Sequence, residues 1–252
     1  MIIVNNAFVY IHHPKTGGTF VTEMLKRVAS TSKEFTIQEL PGLKHAGVRK
    51  IPDEHRHLPI LINVRNVFEH YVSRYTFRWW ADPGHYQKRF NMEKVRKDFQ
   101  DFPEIGFAEF LRLINDWSYP RNFPRKKKDK LSRLEIGYNT WTLARLLIKN
   151  PVRLLERLDE LDDQQLLDEF LKVRFLRTEN LNSDLYNLLK GLGLKQEILS
   201  PILDSGPILP KKGGRGKGKE TWHNYFTQDD IDFVRHKDRL YFRLFPDMLQ
   251  RQ

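Results

Sequence analysis

The stretch Phe8-Val9-Tyr10-Ile11-His12-His13-Pro14-Lys15-Thr16-Gly17-Gly18-Thr19-Phe20 decides how the rest of the chain is read. Ala7 to Ile11 is a run of apolar, β-favouring residues, short enough for one buried strand. The run breaks at Pro14 and the pair Gly17-Gly18. From Thr19 onward Val21, Met24, Leu25 and Val28 recur at helical spacing. Strand, tight glycine loop and helix together make a cradle for a phosphate. Loop N–H groups and the positive end of the helix converge on one anion, and glycine lets the backbone approach it. Lys15 adds a full charge, and the hydroxyls of Thr16 and Thr19 are expected to add donors.

The order of residues separates this loop from the common nucleotide loop. A Walker A sequence places lysine after its last glycine, whereas Lys15 precedes both glycines here. Pro14-Lys15-Thr16-Gly17-Gly18-Thr19 instead resembles the 5′-phosphosulfate loop of sulfotransferases, in the carbohydrate-type branch with its P-K-T-G-G-T signature. That family uses 3′-phosphoadenosine 5′-phosphosulfate (PAPS) as sulfuryl donor and releases the bisphosphate PAP. The resemblance implies that Lys15, Thr16, Gly17, Gly18 and Thr19 bind the donor, with Lys15 also catalytic. The competing reading is an ordinary strand-to-helix turn carrying a solvated lysine.

A second stretch repeats the pattern. Leu58 to Val64 reads as another buried strand, and Arg65-Asn66-Val67-Phe68-Glu69-His70-Tyr71-Val72-Ser73-Arg74-Tyr75 follows as a helix start. Arg65 falls at the strand end, and Ser73 falls about two helical turns later. The segment is similar to the 3′-phosphate element of the same family, which implies that Arg65 and Ser73 hold the donor's 3′-phosphate. An arginine fork suits a phosphate dianion, and a serine hydroxyl can complete the shell. The plainer reading makes Arg65 the partner of a carboxylate and Ser73 a helix-surface residue.

Composition bounds the rest. The 252 residues suffice for a single α/β domain, expected to span 1–252, and 40% hydrophobic content with 12% aromatics fits a globular chain. Without cysteine there are neither disulfides nor thiolate-bound metals. No apolar run reaches the roughly eighteen residues of a membrane span. Met1 to Asn6 lacks the charged leader of a secretory signal, which gives a cytoplasmic expectation. The net charge of +11 points to acidic partners. No recognition helix, zinc finger or RNP-like signature is present, so nucleic acid is not the expected partner.

The segment between the two phosphate elements carries Lys44-His45-Ala46, which looks like the family's candidate base. An attacking hydroxyl must lose a proton, and histidine titrates near neutrality. His12, His13, His55, His57 and Glu23 are competitors for that role. Thr76 to Pro124 is crowded with aromatics, most simply core, although Trp79, Trp80 and Tyr86 could stack on a sugar or apolar acceptor. Arg121 to Lys130 concentrates cations whose mutual repulsion predicts a solvated loop, either plain surface or a guide for an anionic acceptor. Ser205 to Glu220, with Lys211 to Lys219 at its centre, reads as a basic, glycine-rich lid. A late strand is expected over 173–178, followed by a helix stopping at Gly191, and a last helix capped by Thr227.

The resemblance thus implies a central parallel β-sheet flanked by helices, with the donor at the C-terminal strand ends. The activity it implies is sulfuryl transfer from PAPS to a small-molecule or glycan acceptor, with His45 taking the acceptor proton and no metal. Two other classes compete. A P-loop-type kinase would need magnesium and ATP, and the loop order opposes it. A non-catalytic polyanion binder would use the basic segments alone.

Overall fold

The structure, a computed structural model, describes residues 1–121, 123–206, 208 and 221–249. The basic stretch expected to form a lid, Lys211 to Lys219, lies outside the described residues. The first elements are β1 (Ile2–Val4), β2 (Phe8–Ile11), α1 (Gly18–Thr31), β3 (Ile37–Glu39), β4 (Ile60–Val64) and α2 (Val67–Phe77). Then come α3 (Pro83–Arg89), α4 (Met92–Asp98), α5 (Phe107–Asn115), α6 (Arg125–Arg133), α7 (Tyr138–Leu147), α8 (Pro151–Glu156) and α9 (Asp163–Asp168). The last are β5 (Val173–Arg177), α10 (Leu181–Gly191), α11 (Gln196–Leu203), α12 (Gln228–Lys237) and α13 (Arg239–Leu244). The class is α/β, with helices flanking one sheet. The chain forms two compact units, neither of them one continuous segment.

The first unit takes the segments beginning at Met1, Leu146 and Glu169. It holds a five-stranded sheet in the order β3-β1-β2-β4-β5. β2, β4 and β5 run parallel, with Ile11 opposite Ile62 and Ile62 opposite Phe175. These three strands are the parallel centre that the sequence led us to expect, and the other edge of the sheet differs from it. β1 is antiparallel to both β2 and β3. The cause is local: Asn5 and Asn6 adopt φ of 48° and 50°, and Ala7 N–H donates to the Val4 carbonyl at 2.7 Å. Two left-handed residues make the turn whose twist suits a hairpin, and asparagine tolerates that region well. Ile2, Val4, Phe8 and Tyr10 share one sheet face with Leu61 and Leu176, under Phe20, Val21, Met24 and Leu25 of α1 and Leu181, Leu185 and Leu189 of α10. Val9, Ile11 and Ile62 point to the other face and are equally buried, which is why these strands read as unbroken apolar runs.

The second unit takes the segments beginning at Val67 and Asn150 together with the C-terminal helices. Its core is aromatic. Phe68 stacks on Trp222 at 4.5 Å between ring centroids, and Tyr75 stacks on Trp80 at 5.9 Å. Trp80 is fully buried, which removes it from the candidate acceptor-stacking set. Trp79 and Tyr86 are half-buried, the first under the Arg89 guanidinium and the second edge-on to Phe102.

The basic run departs from expectation. Arg125 to Arg133 is a helix rather than a solvated loop. Leu131 is buried and anchors the inner face. The Lys127 ammonium lies over the Phe123 and Trp141 rings, and Lys130 pairs with Glu156 at 2.5 Å. Cation–π contact and ion pairing relieve the repulsion that a count of charges foresees.

One buried polar knot joins α2, α5, α7 and the break between α12 and α13. Tyr71 Oη lies 2.9 Å from Asn115 Oδ1 and 2.5 Å from Asp238 Oδ2. Thr140 N–H donates to Asp238 Oδ1 at 2.7 Å, and Tyr138 N–H donates to Asn115 Oδ1 at 2.7 Å. The Tyr138 bond identifies that Asn115 atom as an acceptor, so the single Tyr71 proton faces two acceptors.

Candidate functional site

The site grows out of the C-terminal end of β2. His12 and His13 continue the strand, the loop turns over Pro14 to Gly17, and α1 begins at Gly18. Lys15 and Gly17 both sit in the left-handed region, at φ 68° and 84°. Alternation of this kind curls backbone N–H groups toward a common centre. The start of α1 has no side-chain cap and no acidic residue in its first turn. An uncapped start of this kind presents its first N–H groups and the positive pole of the helix in the way that suits an anion. Lys15 and Thr19 are half-buried beside that end.

The loop is tied down from beneath. Asn63 on β4 is fully buried; its Oδ1 accepts from Tyr10 Oη at 2.8 Å and its Nδ2 donates to the Thr16 carbonyl at 3.1 Å. Thr178 Oγ1, just past β5, lies 3.0 Å from the same carbonyl and 2.9 Å from that of Val64. His13 Nδ1 bonds the Asn63 carbonyl at 3.1 Å. Three adjacent parallel strands thus hold one loop. The Thr16 hydroxyl is committed as well: it donates to the His13 carbonyl at 2.9 Å and is fully buried. This corrects the expectation of a hydroxyl donor at Thr16, which can offer an anion only its backbone.

Arg65 follows β4 and is half-buried; its Nη1 donates to the Lys15 carbonyl at 3.4 Å. The structure therefore brings Arg65 to the Lys15 loop. The next residue, Asn66, donates its N–H to Glu179 Oε1 at 3.0 Å, which gives Glu179 a structural role. Ser73 lies on α2, in the second unit, and is buried.

His45 also reaches the loop. It sits in the turn after β3, where Leu40 N–H donates to the Met1 carbonyl and Ala46 N–H to that of Leu43. Its Nδ1 lies 3.2 Å from the His12 carbonyl oxygen, and its ring meets the His12 ring edge-on at 4.9 Å between centroids. Of the competing bases, His13 is fully buried and Glu23 is exposed on the outside of α1. His12 is buried, and burial, helped by the charges of His45, Lys44 and the chain's amino group, pushes its imidazole down to about 3. It is therefore neutral at physiological pH. Asn63, Thr178 and the supporting part of His12 escaped sequence reasoning. An asparagine inside an apolar strand was the visible signal, since a buried amide needs partners.

Among the described residues no group of three or more histidines and carboxylates is placed to hold a metal ion, and no helix is long and apolar enough to cross a membrane. No protein-family model matches the chain, and no curated protein matches it. Among solved structures it is similar to mouse sulfotransferase SULT7A1 complexed with PAP. The identity is 14% and the TM-score 0.44, over 98% of this chain and 90% of that one.

Proposed function

We propose that this chain transfers a sulfuryl group from PAPS to a hydroxyl or amine of an acceptor, carbohydrate-like in character, and releases PAP. The observation that carries the reading is the uncapped, acid-free start of α1, with the His12 ring against it, reached by a loop that bears Lys15 and is touched by Arg65. An anion is what such an end lacks. The lysine-before-glycine order gives the anion its identity, because it matches the phosphosulfate loop and not the Walker loop.

In this reading the backbone from Thr16 to Thr19 holds the donor's 5′-phosphate. Lys15 neutralises the charge that develops on the bridging oxygen as its bond to sulfur breaks. Arg65 and Ser73 hold the 3′-phosphate. His45 takes the acceptor proton. Sulfuryl transfer, like phosphoryl transfer, leaves the protein mainly positioning and charge stabilisation to supply, and these residues supply both. The test is transfer from sulfur-labelled PAPS to a panel of glycans and small alcohols. Lys15→Ala is expected to lower turnover by about a hundredfold or more while leaving the circular dichroism spectrum unchanged. Turnover equal to that of the wild type would refute the role of Lys15.

A further inference from the structure

We propose that His12 is the positioning residue for His45: its carbonyl oxygen fixes the Nδ1–H tautomer, and its buried ring seats His45 edge-on, so that Nε2 carries the lone pair that receives the acceptor's proton. This deepens the proposed function and rests on it for the identity of the base. The geometry of the pair stands without it.

The argument begins with one hydrogen bond. His45 Nδ1 lies 3.2 Å from the His12 carbonyl oxygen. A carbonyl can only accept, so Nδ1 carries the hydrogen. A neutral imidazole has one such hydrogen, which leaves the lone pair on Nε2, at the opposite edge of an exposed ring. The other tautomer would set two lone pairs against each other.

The seat itself is rigid. A Cβ added at Gly18 would come within 2.5 Å of His12 Cδ2 and Nε2, so the His12 ring lies directly against the start of α1. Only 6% of His12 is exposed, and its Nδ1 has no hydrogen-bond partner. Because that ring stays neutral, it does not oppose a charge on its neighbour. The charges that bear on His12 are those of His45, Lys44 and the Met1 amino group, each of which opposes its protonation.

The step balances without rearrangement. As the acceptor oxygen bonds to sulfur, its proton passes to His45 Nε2. The bond from sulfur to the donor's bridging oxygen breaks, and its electron pair stays on the departing phosphate. The imidazolium keeps its Nδ1–H on the His12 carbonyl throughout.

The experiment is two-bond proton–nitrogen NMR on the histidine-labelled protein at alkaline pH, with the His45 signals assigned by their loss in His45→Gln. The expected result is a protonated Nδ1 and a bare Nε2. A protonated Nε2, or an even average of the two forms, would overturn the proposal. His12→Ala keeps the carbonyl and removes only the ring that seats His45, and is expected to lower kcat about tenfold and move the acidic limb of its pH profile. His12→Phe should recover part of that loss. An unmoved limb in His12→Ala would also overturn the proposal, and if that variant does not fold, the wild-type tautomer still decides. A bare Nε2 combined with full transfer in His45→Gln would overturn the catalytic role of the pair while leaving donor binding untouched.

Discussion

Gly17 and Gly18 are neighbours that are glycine for different reasons. Gly17 has φ 84°, and a Cβ there would also strike Leu181 Cδ2 at 2.5 Å. Gly18 has no positive φ, and the atoms that a side chain there would meet first are those of the His12 ring. Alanine is the best helix former, so propensity alone would make Gly18→Ala stabilising by up to about 1 kcal/mol. The contact reverses the sign: we expect Gly18→Ala to destabilise by about 1–3 kcal/mol through overpacking, read by urea unfolding. A neutral or stabilising result would show that the His12 ring can move aside. The loop's glycines, lysine and strand were legible in the sequence because they are local. The reason for Gly18 was not, because it depends on which way a buried histidine turns. The same holds for Thr16, whose hydroxyl looked like a donor for phosphate until its bond to the His13 carbonyl was seen.

Among the elements, the C-terminal helix pair shows where local signals stop. Thr227 caps α12 and forms a reciprocal pair with Asp230, as the sequence pattern Thr-Gln-Asp-Asp foretold. The helix is short, however; it breaks at Asp238, which is fully buried against Tyr71 and Thr140. Burial pushes the Asp238 carboxyl up to about 6, although Tyr71 and Thr140 pull the other way. A protonated Oδ2 also resolves the knot, donating to Tyr71 so that Tyr71 can donate to Asn115. Arg74 is the charged side chain whose field reaches Tyr71 and Tyr241 beside it. Between about pH 4 and 6 the folded state then holds a proton that the unfolded state has lost, so this group's contribution to stability falls as pH rises through that window. Asp238→Asn should therefore gain stability relative to the wild type from pH 4 to 6, by a few kcal/mol in all, and level off above pH 6. A difference independent of pH, followed by thermal unfolding, would contradict the assignment. α6 was illegible for a related reason: its like charges are visible in sequence, while the Trp141 ring and Glu156 that receive two of them are distant in it.

At the scale of the whole molecule, the α/β class and the order of β2, α1, β4 and α2 were readable because each strand is a short apolar run ending at a polar cluster. The parallel pairing of β2 with β4 sets Val9 opposite Ile60 and Ile11 opposite Ile62, so both strands end on the same side of the sheet. Arg65 consequently reaches the carbonyl of Lys15, fifty residues earlier. The antiparallel hairpin of β1 was missed, since Asn5-Asn6 was read as part of an unremarkable terminus and not as a turn. The net charge of +11 is compatible with any acidic ligand, so charge does not choose among a bisphosphate, a nucleoside triphosphate and a polyanion. One measurement does: calorimetric titration of the protein with PAP, ATP–Mg and adenosine 5′-monophosphate side by side. The account predicts tight binding of PAP alone, lost in Arg65→Ala. Preference for ATP–Mg, or binding of none of the three, would contradict it.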